Sequence, residues 1–308
     1  MIINLEATTS SAIASRLVHL REEGGAVALG RVLTLIVSAT PDEVETAIET
    51  ANDASREHPC RVLVVAPAEG EDGLDAEIRV GGDAGASEVI VLRPRGGARE
   101  QLDSVVMPLL LPDAPIVTWW PGTPPVSPSQ DDLGAMAQRR ITDAMQCSDP
   151  VGSLVRLGEH HAPGDTDLAW ARATLWRGLI AAALDEPPFT TVTGVTIAGN
   201  TDHPSVSLLG AWLHSGLAVP VTFESVSDAT ALVRVVLHRE NGDVVMDRPP
   251  NSTILNISEP SGIHHRVSLP LRTLADSLIE DLRRLDPDEA YAHVITKALP
   301  ALLKQKTA

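Results

Sequence analysis

The residues best placed to do chemistry are two arginines beside two glycines, Arg93-Pro94-Arg95-Gly96-Gly97. They follow an apolar run, residues 88–92, that reads as a buried strand. Parallel sheets bind ligands at the C-terminal ends of their strands, and guanidinium groups beside flexible backbone can hold a phosphate. Yet no G-x-G-x-x-G follows the first strand, and G-x-x-x-x-G-K-[ST] occurs nowhere, so neither the dinucleotide nor the P-loop fingerprint is present. Arg93 and Arg95 stand as a candidate anion site against the plainer reading of a solvated basic turn, which is favoured.

Histidine and the nucleophiles offer less. His160-His161 and His264-His265 are adjacent pairs, and His203 opens a helical stretch. Neighbouring side chains point in different directions, so an adjacent pair rarely supplies two ligands, and there is no H-E-x-x-H. No G-x-S-x-G elbow occurs, and neither Cys60 nor Cys147 has an activating neighbour in sequence. No catalytic residue, metal or cofactor is expected.

Tryptophan is the more informative type. Of 308 residues only 5 are Trp, 2 Phe and 1 Tyr. Four of the tryptophans fall in two stretches: Thr118-Trp119-Trp120-Pro121-Gly122, and residues 165–177, which carry Trp170, Arg172, Trp176 and Arg177. Tryptophan buries a large area and keeps an N–H that needs a partner, so it recurs where surfaces meet. It also plugs seams between domains. In the second stretch, Leu168, Ala171, Leu175 and Leu179 share one helical face. Trp170 and Arg177, seven apart, share another, and Arg172 and Trp176 are i,i+4 neighbours able to stack.

These candidates must be held by a fold, and composition bounds it. The length suggests about two domains. An apolar fraction of 44% with 21% charged residues is ordinary for a soluble globular chain. The net charge of −17 argues against nucleic acid, whose binding needs a cationic footprint, and suits a partner with a basic patch. The N-terminus lacks a secretory pattern, and the densest apolar run, residues 105–111, is broken by Pro108 and too short for a membrane span. Two cysteines fit a reducing compartment. A cytoplasmic protein, without membrane or nucleic-acid partners, is expected.

Along the chain, a helix through Ile13, Leu17 and Leu20 should stop at Gly24-Gly25, followed by an extended run at 27–37. Thr40-Pro41-Asp42-Glu43 is a helix start with cap, proline and acids in order. Residues 61–66 and 88–92 read as buried strands. The alternation of Leu74, Ala76, Ile78 and Val80 reads as a half-exposed strand, at an edge. A helix at 101–111 is ended or kinked by Pro108. A strand at 114–120, a loop at 121–130 and a helix at 131–138 follow. Alternation of strand and helix means an α/β layer with a mostly parallel sheet flanked by helices. Residues 158–164 are the expected hinge, dividing an N-terminal α/β domain (1–160) from a C-terminal α+β domain (161–308). The second half opens with a helix at 166–184, then a strand at 191–198 and a helix at 203–214. Further strands at 219–223, 232–238, 244–246, 252–257 and 264–269 have turns such as Asn241-Gly242 that make an antiparallel-rich sheet. Helices at 274–285 and 288–303 close the chain.

Three blocks, Ile116-Val117-Thr118-Trp119-Trp120-Pro121-Gly122, residues 165–177, and Gly199-Asn200-Thr201-Asp202-His203-Pro204 with Ser207-Leu208-Leu209-Gly210-Ala211-Trp212-Leu213, carry a resemblance. In order and spacing they are similar to the OpcA family of glucose-6-phosphate dehydrogenase assembly proteins. The resemblance implies a non-catalytic bacterial protein of carbohydrate metabolism. Its partner would be glucose-6-phosphate dehydrogenase, the enzyme that opens the oxidative pentose phosphate pathway. It would act as an assembly factor or allosteric activator. Candidate partner-binding residues are Trp119, Trp120, Trp170, Arg172, Trp176 and Arg177. Of these, Trp119 and Trp170 are expected at a seam, and Trp120, Arg172 and Trp176 facing the partner. The competing reading is a sugar-phosphate or nucleotide-binding α/β sensor or enzyme. It would use the sheet edge near Arg93, Arg95 and Trp120.

Overall fold

A computed structural model of the chain describes residues 1–23, 32–81, 88–187 and 189–307. The chain divides into two compact units. The first comprises Met1–Gln146, Ala162–Thr166 and Leu274–Pro287, and the second Cys147–His161, Asp167–Thr273 and Asp288–Ala308. The expected single division after residue 160 is replaced by three crossings, at 146/147, 161/162 and 166/167, so that residues 147–161 lie in the second unit and 162–166 in the first. The crossings at 273/274 and 287/288 have no counterpart in the sequence reading.

The first unit begins with β1 (Ile2–Leu5), α1 (Ser10–Glu23), β2 (Leu33–Ser38), α2 (Val44–Ser55) and β3 (Cys60–Val65). It continues with β4 (Gly73–Arg79), β5 (Glu88–Arg95), α3 (Leu102–Val106), β6 (Ile116–Trp119), β7 (Arg139–Thr142) and β8 (Asp165–Asp167). The strands lie in the order β1-β4-β5-β3-β2-β6-β7-β8. Pairing is parallel from β5 through β3, β2 and β6 to β7, and antiparallel at β4 and β1. The continuous apolar runs of β2, β3 and β5 follow from this: strands covered on both faces have no polar side to present. β4 alternates as expected, with Leu74, Ala76 and Ile78 buried. It is not the edge, because β1, which the sequence reading missed, pairs outside it. One core gathers Ile13, Leu17, Ile36, Leu63, Ile78, Ile90, Leu92, Val106 and Leu109. Thr9 Oγ1 accepts from the Ala12 N–H at 3.2 Å, capping α1. Its expected stop at Gly24-Gly25, and the start of the run at 27–37, lie outside the described residues. Pro108 ends α3 as expected, in a 3₁₀ turn at Met107–Leu109.

Residues 131–138 do not form the expected helix. Asp131 instead folds the segment into turns, its Oδ1 accepting from the N–H of Leu133 (3.0 Å) and Gly134 (3.2 Å). Gln138 spends its side chain accepting from the Ile116 N–H at 2.6 Å. A side chain bonding its own backbone competes with the helical ladder.

The second unit holds α4 (Pro150–Glu159), α5 (Leu168–Arg172), α6 (Thr174–Leu184), β9 (Val192–Gly199), α7 (Pro204–Leu217) and β10 (Val221–Ser225). The strands β11 (Leu232–Arg239), β12 (Val244–Asp247), β13 (Ile254–Ser258) and β14 (His264–Ser268) complete its sheet, ordered β10-β9-β11-β12-β13-β14. Only β10 on β9 is parallel, with α7 as the crossover; the rest is antiparallel. The Asn241-Gly242 turn forms as read, Gly242 at φ +113° with its N–H on Arg239 O at 3.1 Å. The core joins Trp176, Ile180, Val195, Ile197, Leu209, Leu213, Val235, Leu237, Met246 and Leu255. After β14, α8 (Leu274–Leu282) rejoins the first unit, while α9 (Glu289–His293) and α10 (Leu299–Thr307), joined by a π-turn at Val294–Ala298, belong to the second. The π-turn separates what sequence reads as one helix, and Pro300, lacking an N–H, sits just beyond it. Among the described residues no helix is long and apolar enough to cross a membrane.

Candidate functional site

The parallel strands of the first unit run β5-β3-β2-β6-β7, so the connections turn opposite ways on either side of the β2/β6 pair. Such a switch point is where open α/β sheets bind ligands, commonly with phosphate on the N-terminus of the helix after the first strand. Here that corner is taken by the chain itself. The helix start reads Thr40-Pro41-Asp42-Glu43, with no glycine. Glu43 Oε2 accepts from the Thr40 N–H at 2.8 Å, closing a capping box. The same carboxylate lies against Gly122, where a Cβ would overlap it. A side chain after Trp120-Pro121 would have to displace this carboxylate. Two acids at the helix start repel the phosphate this architecture would hold. The residues do not fit a dinucleotide.

Trp119 ends β6 at this corner, and Trp120 follows it. Trp120 donates its backbone N–H to Ile141 O at 3.0 Å. Its ring packs on Gly134, where an added Cβ would come within 2.9 Å of the indole and overlap Pro128 O. Thr118 Oγ1 donates to Leu133 O at 2.9 Å, so the 121–138 segment curls back over β6. The Trp119 indole N–H is buried without an acceptor among the described residues.

The block 165–177 is not one helix. Asp165 and Thr166 enter β8, and Asp167 caps α5, its Oδ1 accepting from the Ala169 N–H at 2.8 Å. Ala173, at φ −85° and ψ −3°, separates α5 from α6. Trp170 and Arg177 lie on different helices, not on the one helical face expected, yet they meet: the Arg177 guanidinium sits 3.6 Å from the Trp170 ring centroid and donates to Thr174 Oγ1 at 3.0 Å. Trp170 Nε1 donates to Asp288 Oδ2 at 2.9 Å, and Asp288 Oδ1 caps α9 by accepting from the Tyr291 N–H at 2.9 Å. The Tyr291 ring lies 6.0 Å from Trp170 and meets His161 edge-on at 5.8 Å. A guanidinium also lies over Trp176, at 5.6 Å, and it belongs to Arg248. Burial pulls Arg248 below the ordinary guanidinium value; it donates to Leu269 O (3.1 Å) and Leu232 O (2.6 Å). The 199–213 block meets this one where Ser205 Oγ donates to Ala169 O at 2.6 Å. His203 caps α7, its Nδ1 accepting from the Ser205 N–H at 3.2 Å.

All four tryptophans are interior: Trp119 is 0%, Trp120 3%, Trp170 2% and Trp176 4% exposed. On the same helices Leu175 is 40% exposed, and Arg172 and Arg177 are half-buried. The indoles of Trp120 and Trp176 therefore present little area to a partner; what they shape lies above them.

Sequence reasoning missed a buried ionic network in the first unit. Arg139 grips Asp281 of α8 through Nε (3.1 Å) and Nη2 (2.9 Å), and donates from Nη1 to Asp286 O at 2.8 Å. Thr166 Oγ1 adds a bond to Asp281 Oδ1 at 3.1 Å. Arg140 pairs with Asp165 and donates to the carbonyls of Ala137 (2.7 Å) and Pro163. The signal in sequence was Arg139-Arg140 inside an otherwise acidic chain, and nothing local reveals its partners.

Arg93 and Arg95 do lie together, beside a cavity of about 410 Å³ that Asp75 and Glu6 also line. Both are ion-paired, Arg93 to Glu77 at 3.3 Å and Arg95 to Asp75 at 3.1 Å. The Ala7 N–H and the Arg95 guanidinium hold the Asp75 carboxyl below its usual range. Cys60 is buried and Cys147 half-buried.

Residues 51–159 match the family described as glucose-6-phosphate dehydrogenase subunit N-terminal domain, and residues 163–295 its C-terminal domain. A Synechococcus elongatus protein, provisionally named OxPP cycle protein OpcA, is 29% identical over 49% of this chain and 36% of its own length. A Synechocystis protein of the same name is 26% identical over 47% of this chain and 33% of its own. The matched part thus spans about a third of each relative. Among solved structures, myo-inositol dehydrogenase of Lactobacillus casei aligns over 90% of this chain at 10% identity and TM-score 0.42. A glucose-6-phosphate dehydrogenase aligns over 92% at 7% and 0.43. Likenesses this distant carry no argument. The two domain matches, in order and together covering most of the chain, show that it belongs to the OpcA family of glucose-6-phosphate dehydrogenase assembly proteins.

Proposed function

We propose that this protein is a non-catalytic partner of glucose-6-phosphate dehydrogenase that binds the enzyme and favours its active oligomeric form. The observation that carries this reading is the paired domain match, whose description names a subunit of that dehydrogenase. The switch-point corner supports it: where a nucleotide-using sheet needs a glycine turn, this chain puts Pro41 and the Glu43 carboxylate. The contact surface is proposed to include Arg172, Leu175 and Arg177, with Trp170 and Trp176 fixing the two helices from beneath and Trp119 and Trp120 doing the same for the 121–138 segment. A net charge of −17 favours a basic face on the partner. Activation then follows from linkage: a protein that binds the active form more tightly shifts its population, and a swing from 1:99 to 99:1 requires about 10⁴-fold preference.

The test is titration of the purified protein into the dehydrogenase of the same organism, following NADPH formation and particle mass together. A saturable rise in rate with a complex of fixed stoichiometry is expected. A dehydrogenase whose rate and mass are indifferent to the protein refutes the reading. The ion-paired state of Arg93 and Arg95 gives the sugar-phosphate alternative no specific support.

A further inference from the structure

At one end of the second unit's sheet, three donor side chains from three segments converge. Glu186 follows α6, Glu259 opens the turn between β13 and β14, and His265 lies on β14. One oxygen of each carboxylate and one imidazole nitrogen lie within 4.8 Å of one another. His265 Nε2 is 3.5 Å from Glu259 Oε1, close to the ~3.3 Å separating donors around a tetrahedral ion with bonds of about 2.0–2.2 Å.

Glu259 is held before any ligand arrives. Its N–H donates to Ile263 O and its carbonyl accepts from the Gly262 N–H, both at 3.0 Å. Ser261 Oγ donates to Oε2 at 3.3 Å, which leaves Oε1 facing His265. The side chain is only 15% exposed. Sheet register puts His264 opposite Ser258, and its Nδ1 is 3.0 Å from Ser258 Oγ, so the adjacent histidines have different partners. A cavity of about 230 Å³ is lined by Glu186 and Glu259. Arg239 lines it too, but turns Nη2 to Ala183 O at 3.0 Å. Among the described residues no lysine or arginine pairs with either glutamate, so the two carboxylates share this corner with one imidazole, and the Arg239 guanidinium lines the cavity without pairing with them.

We propose that Glu186, Glu259 and His265 bind a divalent transition-metal ion of the zinc class, with water completing the coordination. The donor chemistry selects the class. Imidazole suits zinc and its neighbours, whereas magnesium and calcium prefer all-oxygen shells. A dication removes the repulsion between the two carboxylates. It also ties the end of α6 to the β13–β14 hairpin. The proposal is independent of the dehydrogenase reading.

The test is calorimetric titration of the full-length, chelator-treated protein with ZnCl₂, and with MgCl₂ for comparison. One Zn²⁺ per chain is expected, with Mg²⁺ at least tenfold weaker. His265→Ala and Glu259→Gln should each weaken Zn²⁺ binding roughly tenfold or more, and His264→Ala should leave it unchanged. Should Glu259→Gln melt lower than the parent without metal, Glu186→Gln, on an exposed segment, carries the same expectation. Absence of a stoichiometric site, or His265→Ala binding like the parent, or His264→Ala losing as much as His265→Ala, overturns the assignment.

Discussion

Asp281→Asn is the substitution whose effect follows most directly from the structure. Asp281 accepts two bonds from Arg139 and one from Thr166, and all three residues are buried. The amide cannot balance the guanidinium charge, and its NH₂ group faces donors. Arg139 is then left charged in a site with little water. Breaking a buried pair from one side costs about 3–5 kcal/mol, most of it the unbalanced charge. For a unit of this size each kcal/mol shifts the melting temperature by about 2–4 °C, so a fall of about 6–20 °C is expected. Scanning calorimetry measures it, and hydrogen exchange should place the lost protection in β7, β8 and α8. The companion is Arg139→Met with Asp281→Leu, which removes both charges and fills the space. It should recover most of the loss, because the pair itself contributes little net stability. A single variant within about 1 kcal/mol of the parent, or a double variant no more stable than the single, would falsify the reasoning.

Three other outcomes are expected. Arg177→Ala removes a half-buried cation–π contact, worth about 1–2 kcal/mol, together with the bond to Thr174. Urea denaturation should show that loss in the second unit, and dehydrogenase activation should fall further than stability explains. Equal activation at saturating protein would leave Arg177 structural. Gly134→Ala must displace the Pro128 carbonyl and also crowds the Trp120 ring, so stability should drop and tryptophan fluorescence shift; an unchanged spectrum and melting curve contradict that packing. Asp131 is pushed above the usual carboxylate range, first by burial and then by neighbouring Asp132, against the bonds from Gly134 and Leu133. A raised folded-state pKa means that ionised Asp131 detracts from stability at neutral pH, and that the deficit closes as pH falls through that pKa. Asp131→Asn should therefore melt higher than the parent at pH 7, with the difference shrinking toward pH 4; a constant difference across that range refutes the assignment.

The fold class was legible in sequence because its signals are local. Continuous apolar runs at β2, β3 and β5, the alternation in β4, and the Asn241-Gly242 turn each report their own backbone's surroundings within a few residues. So does the Thr40-Pro41-Asp42-Glu43 start, whose residues cap the helix they introduce. The seven-residue spacing of Trp170 and Arg177 pointed to their contact, although Ala173 breaks the helix between them. Only the tertiary structure decided the rest, because the remaining partners are distant in sequence. Asp288, which satisfies the Trp170 indole, is 118 residues away, and Asp281, which satisfies Arg139, is 142 away. Ala173 and Asp131 divert two apparent helices by turn and side-chain bonding that periodicity does not encode. Trp120 and Trp176, expected to face the partner, are as buried as Trp119 and Trp170, because an indole suits a seam and a surface equally and residue type does not choose between them. Residue type fixes what a side chain can bond, and the fold decides what comes within reach.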